Sequence, residues 1–343
     1  MKSRRTPPDS ASSGAANATA ERIAELIGRY GVTVLDVGAR GGAAEARWRI
    51  PPLARLVGFE PDASECRRLN AAALSAPSPE RYVQLALGRA SGTAELHVTV
   101  DPMWSSLYAP EERFADRYPE MAGMREARSA PLAVVSLDDW AAREGVGEVA
   151  FVKLDTQGSE LDILQGGARL LERCLGVEVE VEFVPLYRGV PTFSDVDRWL
   201  RERGFLLWRF GELCHYAEDM QARPQHQEKV HFGGFDAQHA VGSGRLFWGN
   251  ALYFRDYAAF EPSAENARRV LVLAALLAGF GDLAAGGACL ERVLGWGCPG
   301  LPAGAAQTLD EERRRLCAVP KPPRSAVQRR WRKLRRKTLA LLR

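Results

Sequence analysis

Three acidic residues in this chain stand at the ends of short apolar runs, each beside residues that let a backbone turn sharply. Asp36 lies in the run 32–37 and leads into Gly38-Ala39-Arg40-Gly41-Gly42. Glycine at 38 and 42 permits a tight turn and close approach of a ligand, since a Cβ would obstruct both. Glu60 follows the run 56–59, 24 residues after Asp36, in Gly58-Phe59-Glu60-Pro61-Asp62. An acid at a second strand tip about 20 residues beyond a glycine loop is placed to accept hydrogen bonds from two ribose hydroxyls. Asp155 ends the run 149–154, ahead of a turn at Gly158 and a helix opening with Glu160 and Asp162. Plainer readings exist: an ordinary tight turn at 38–42, and helix-dipole acids at 60, 160 and 162. They do not account for Asp155, which belongs to a strand. The glycine loop and Glu60 together read as an adenosine site. The loop matches neither G-x-G-x-x-G nor a phosphate-gripping loop ending in Lys-Ser/Thr.

The elements that must hold these residues are legible as alternating patterns. Apolar spacing at Ile23, Leu26, Ile27 and Tyr30 predicts a helix over 20–30. Strands are expected at 32–37, 56–59, 82–87, 149–155, 176–183, 205–210 and 246–255, with helices over 62–74, 160–174 and 194–203. Residues 88–137 read as antiparallel strands around an irregular Met- and Trp-containing loop. Alternation of strand and helix predicts an α/β layered domain with a mainly parallel sheet. The expected boundaries are a disordered leader at 1–18, the α/β domain at 19–257, a small helical hairpin appendage at 258–300, a linker at 301–324 and a basic amphipathic helix at 325–343.

Composition narrows the function further. Hydrophobic residues make up 46% and charged residues 26% of 343, which excludes a disordered, collagenous or disulfide-stapled chain. The longest apolar run, 270–280, is shorter than the roughly 18 residues of a membrane span. No apolar signal segment opens the sequence, so a cytoplasmic location is expected. Six cysteines without C-x-x-C spacing predict reduced thiols, and no metal site is expected. From residue 311 onward there are 13 Lys/Arg and 2 Asp/Glu, whereas the rest carries a net charge of −8. An acidic body argues against nucleic acid as a partner. Val327, Trp331, Leu334, Thr338 and Leu341 share one face of the tail helix, which predicts peripheral binding to an anionic membrane surface at the inner face.

The runs VLDVGARGG, GFEPD, ALG, SLDDW and FVKLDTQGSELDILQGG occur in the order and spacing of the FkbM family of S-adenosylmethionine-dependent methyltransferases, which residues 32–255 resemble. The resemblance implies the class I methyltransferase fold, Rossmann-like, with a seven-stranded sheet whose last strand is antiparallel. It implies S-adenosylmethionine as cofactor, with Asp36, Gly38, Ala39, Arg40 and Gly42 at its methionine end, Glu60 and Pro61 at the ribose and Leu87 near the adenine. Asp155 would face the sulfonium and the acceptor. The expected activity is O-methylation of a sugar in a glycan or glycolipid, or of a secondary metabolite, with Asp155 as the catalytic base and Glu160 second. A catalytically silent scaffold is the alternative. Two residues depart from the family pattern: Arg40 for Asn, and Gln157 for the Glu of D-x-E-G. His215, His231 and His239 are minor candidates for the base. Met103, Trp104, Ser105, Ser106, Tyr108, Tyr187, Arg188 and Phe193 are candidates for acceptor recognition, with core packing as the equal alternative for the aromatic ones.

Overall fold

A computed structural model describes residues 10–42, 53–216, 228–231 and 245–318. In chain order the elements are α1 (Ser10–Ile27), β1 (Val32–Val37), β2 (Ala54–Phe59), α2 (Ala63–Ala73), β3 (Glu80–Val83), β4 (Ala86–Gly88), β5 (Gly92–Thr99), α3 (Arg113–Arg117), β6 (Glu126–Ser136), α4 (Leu137–Glu144) and β7 (Val149–Leu154). There follow α5 (Glu160–Gly166), α6 (Ala168–Leu171), β8 (Gly176–Glu182), α7 (Phe193–Arg201), β9 (Phe205–Tyr216), β10 (Glu228–His231), β11 (Arg245–Arg255), α8 (Ala264–Gly279), α9 (Leu283–Gly295) and α10 (Ala305–Ala318).

The main sheet runs β10-β9-β11-β8-β7-β1-β2-β3. β3, β2, β1, β7 and β8 pair in parallel, and β11 is antiparallel to both β8 and β9. This is the expected α/β sheet with a reversed final strand. The short strand β10 adds an eighth by pairing with the outer half of β9. The run expected as one strand at 82–87 is split, because Val83 ends β3 whereas β4 leaves for a separate sheet, β4-β6-β5. The helix expected over 160–174 breaks into α5 and α6 at Gly167. A Cβ on Gly166 would lie 2.4 Å from the Gly88 oxygen, so β4 crosses α5 where only glycine leaves room.

Alternation along each strand sends apolar side chains to both faces. Val34, Leu56, Phe151 and Phe254 pack with α1, α2, α8, α9 and α10 on one face. Leu35, Val37, Val57, Val152, Val177 and Val179 pack with α4, α5, α6 and α7 on the other. A third cluster, including Phe114, Tyr118, Met121, Tyr187 and Phe247, forms beside the carboxyl end of β8.

Three expectations about organisation change. The hairpin at 258–300 is not an outlying appendage: α8 is buried from Val270 to Ala278 and covers one sheet face. Its long apolar run is a core helix, apolar all round because it is enclosed all round. α1 begins at Ser10, inside the stretch expected to be a disordered leader, and buries Ala15, Ala16, Thr19, Ala20, Ile23 and Ala24. α10 occupies part of the expected linker, burying Ala305, Leu309, Glu312 and Leu316, and Thr19 Oγ1 donates to Glu312 Oε2 at 3.0 Å. The basic helix expected at 325–343 lies outside the described residues. No helix among the described residues is long and apolar enough to cross a membrane.

Candidate active site

Strand register sets the first row of the site. Asp36 pairs with Gly58 on one side and Lys153 on the other, and Lys153 pairs with Glu178. Residues opposite one another in a sheet project to the same face, so acid, ammonium and acid lie side by side. Lys153 Nζ stands 3.4 Å from Asp36 Oδ1 and 3.1 Å from Asp155 Oδ2. Burial works against the lysine charge, and the Asp155 and Asp36 carboxylates more than restore it. The partnership is unequal. Burial raises Asp36 despite Lys153, whereas Asp155, also opposed by burial, is held below the ordinary range by Lys153, Gln157 and Glu180. Asp36 Oδ1 is buried and accepts no hydrogen bond.

The glycine loop is fitted onto the neighbouring strand ends. Gly38 has φ +76°, and a Cβ there would sit 1.8 Å from the Asp155 carbonyl oxygen. Asp155 N donates to Val37 O, and Ala39 N to Phe59 O, both at 3.0 Å. Gly41 N donates to Glu65 Oε1 at 2.9 Å, anchoring the loop to the first turn of α2. Glu60 is buried at the β2 tip, where its Oε1 accepts from Asp62 N at 2.9 Å and its Oε2 lies 3.8 Å from Arg40 Nε. Burial, chiefly, pushes its carboxyl up. Pro61 is partly buried beside it, and Leu87 is buried in the cluster that contains Val57, Phe59 and Trp140. Gly42 N closes the loop by donating to Ala39 O at 2.9 Å.

On the far side of Lys153 the loop 155–159 is built by Glu160. Its Oε1 accepts from Thr156 N at 2.6 Å and Thr156 Oγ1 at 3.0 Å, and its Oε2 from Gly158 N at 2.9 Å. The side chain expected as a second base thus clamps its own loop, and burial pushes its carboxyl up to about 7. Asp155, whose side chain is 37% exposed, is the carboxylate left accessible. Gln157 Nε2 donates to Asp155 Oδ1 at 3.2 Å and Glu180 Oε2 at 2.7 Å, and Tyr187 Oη donates to Gln157 Oε1 at 3.2 Å.

The second sheet and its loop close over this corner. Ser106 Oγ donates to the Gln157 carbonyl at 2.6 Å, Tyr108 Oη to Asp162 Oδ2 at 2.7 Å, and Tyr187 Oη to the Trp104 carbonyl at 3.1 Å. Ser106 and Tyr187 are therefore held on Gln157, Trp104 on Tyr187, and Tyr108 on Asp162. Met103 is exposed nearby in sequence, Ser105 Oγ accepts from Thr99 N at 3.2 Å, and Arg188 N donates to Ala109 O at 2.8 Å. Phe193 instead packs with Phe183 and Phe210. His215 lies on β9, two strands from β8, only the backbone of His231 is described, and His239 is outside the described residues. Lys153, Glu180 and Glu182 join the site without having been singled out. The alternation V-E-V-E-V-E at 177–182 marks acids inside a strand expected to be covered on both faces, but it does not say that they meet Lys153.

The family model described as "Methyltransferase FkbM domain" matches residues 36–207. A 2-O-methyltransferase, NoeI, of Sinorhizobium fredii is 25% identical over 179 residues, which span 49% of this chain and 70% of that protein. Among solved structures, magnesium protoporphyrin IX methyltransferase from Synechocystis PCC 6803, with bound S-adenosylmethionine, aligns at TM-score 0.33 and 10% identity over 71% of this chain and 79% of that one. Precorrin-6y C5,15-methyltransferase from Geobacter metallireducens aligns at TM-score 0.32 and 10% identity over 69% and 88%.

Proposed function

The chain belongs to the FkbM methyltransferase family, and from that premise we propose that it is an O-methyltransferase acting on a hydroxyl of a sugar, in a glycan or glycolipid, or of a secondary metabolite. S-adenosylmethionine is the cofactor. The residues present suit it. Asp36 is a buried acid at the end of β1, ion-paired with Lys153 through Oδ1, and suited to the ammonium of the methionine end. Gly38 lets the loop 38–42 lie directly on the Asp155 backbone, where a Cβ would clash, and Glu60 is an acid at the β2 tip suited to ribose hydroxyls. The observation that carries the reading is the convergence of Asp36, Glu60 and Asp155 at the carboxyl ends of three adjacent parallel strands.

Bound there, the cofactor supplies a methyl group already activated by its sulfonium. What remains for the protein is to hold an acceptor oxygen in line with that methyl and take its proton. Asp155 is suited to both roles, being accessible, ionised, and fixed by Lys153 and Gln157. It accepts the hydrogen bond of the acceptor hydroxyl and receives the proton as the carbon–oxygen bond forms. Trp104 and Tyr108 pack against the third hydrophobic cluster, and Tyr108 Oη is tied to Asp162 at the start of α5. The name of the Sinorhizobium relative supports oxygen as the methylated atom.

The test is calorimetric titration with S-adenosylhomocysteine, followed by transfer of labelled methyl from S-adenosylmethionine to glycan, glycolipid and small-molecule extracts. Micromolar binding and a labelled O-methyl product are expected. Absence of binding would leave the silent-scaffold alternative.

A further inference from the structure

Gln157 holds φ +60°, a left-handed backbone that a side chain adopts only at a cost. Its amide is fully used: Nε2 reaches Asp155 Oδ1 at 3.2 Å and Glu180 Oε2 at 2.7 Å, and Oε1 accepts from Tyr187. Two carboxyl groups from β7 and β8 therefore converge on one nitrogen. Lys153 is engaged with Asp36 and Asp155, and among the described residues no Lys or Arg forms an ion pair with Glu180. Two acids that share one donor and one cation do not both ionise readily.

We propose that Glu180 is a positioning residue that works as the neutral acid, keeping a proton next to Asp155 so that Asp155 remains the one carboxylate presented to the acceptor. The groups facing it are Asp155 and Lys153 from β7, Glu160 from α5, Glu182 on its own strand, and Tyr187 by way of Gln157. Burial, chiefly, and the three neighbouring carboxyls raise Glu180 well above the ordinary range against the pull of Lys153. The same arrangement explains the residue at 157. An amide donates to both acids and accepts from the tyrosine, whereas a carboxylate would have no proton for either acid. This assignment rests on the methyltransferase reading for what Asp155 does, but the proton on Glu180 can be observed without it.

The experiment compares the wild-type chain with Glu180→Gln and Glu180→Ala. In infrared difference spectra at pH 7.5, a protonated-carboxyl stretch present in the wild type is expected to vanish in Glu180→Gln. Binding of S-adenosylhomocysteine and of sinefungin, whose amine carries positive charge in place of the methylsulfonium, is then measured from pH 6 to pH 9. Glutamine is isosteric with a neutral glutamic acid, so Glu180→Gln is expected to keep the wild-type ratio of the two affinities at every pH. Glu180→Ala is expected to change that ratio by about fivefold or more. A carboxyl spectrum unchanged in Glu180→Gln, or a glutamine variant as impaired as the alanine one, overturns the proposal. A wild type that shows the band yet binds neither ligand refutes the methyltransferase reading instead and leaves the protonation of Glu180 standing.

Discussion

A lysine between two aspartates ties the carboxyl end of β1 to that of β7. Because Lys153 spans Asp36 and Asp155, its charge serves both, and neither aspartate would keep its present state alone. At Glu60 the expectation is simpler: Glu60→Ala should weaken S-adenosylhomocysteine at least tenfold, about 1.4 kcal/mol, in the calorimetric titration. Gly38→Ala should do more, since its Cβ would meet the Asp155 carbonyl at 1.8 Å. Strands β1 and β7 would have to part at the site itself, at a cost of about 1–3 kcal/mol. A lowered melting temperature together with loss of ligand binding is the expected pair of readouts. The three strand-end acids were legible because acids are scarce inside apolar runs. Lys153 and Glu180 were not, because what makes them functional is the lateral register of β1, β7 and β8, which spacing along the chain does not encode.

Among the elements, α8 has the most packing to lose. Leu273 has no exposed surface, and Leu273→Ala should cost about 2–5 kcal/mol, read as an earlier midpoint in a denaturant titration. Thr19→Val tests the contact between the first and last described helices. It leaves a Glu312 oxygen without its donor in a buried setting and should cost about 1–3 kcal/mol by the same assay. The strands and their alternation with helices could be read from the sequence because short continuous apolar runs, buried on both faces, are distinctive. The start of α1 could not: its first turns are Ser, Ala, Gly and Asn, and the helix packs through Ala15, Ala16 and Ala20. Small residues that allow close approach give no large-apolar period. For α10 the signal was present, since Ala305, Leu309, Glu312 and Leu316 recur at helical spacing. The Pro and Gly residues before it and the charges around it obscured it.

Taken over the whole molecule, the buried acids set the response to pH. Glu160 is raised from an ordinary 4.5 to about 7, and Glu180 and Glu182 are raised as well, chiefly by burial. Between pH 4.5 and 7 the folded chain thus binds more protons than the unfolded one, so stability is greatest at the acid end and falls as pH rises through the folded values. Glu65, held at about 2 by Arg68 and Gly41, acts in the opposite sense and only below that window. The melting temperature is expected to be lower at pH 8 than at pH 6. Glu182→Gln, which removes a carboxyl whose Oε2 is buried without a partner, should flatten the difference. The basic tail supplies a separate test. The full chain should float with anionic liposomes, and the chain ended at Pro320 should not.

Much of the covering layer over Val34, Leu56, Phe151 and Phe254 comes from residues beyond 263, with α1 and α2 supplying the rest. During synthesis the parallel strands are made first and their greasy side waits for α8, α9 and α10. At the roughly 5–20 residues per second of a translating ribosome, that side stays open for seconds after the catalytic strands have emerged. A chain that stops before Ala264 is expected to aggregate rather than accumulate as a smaller working enzyme.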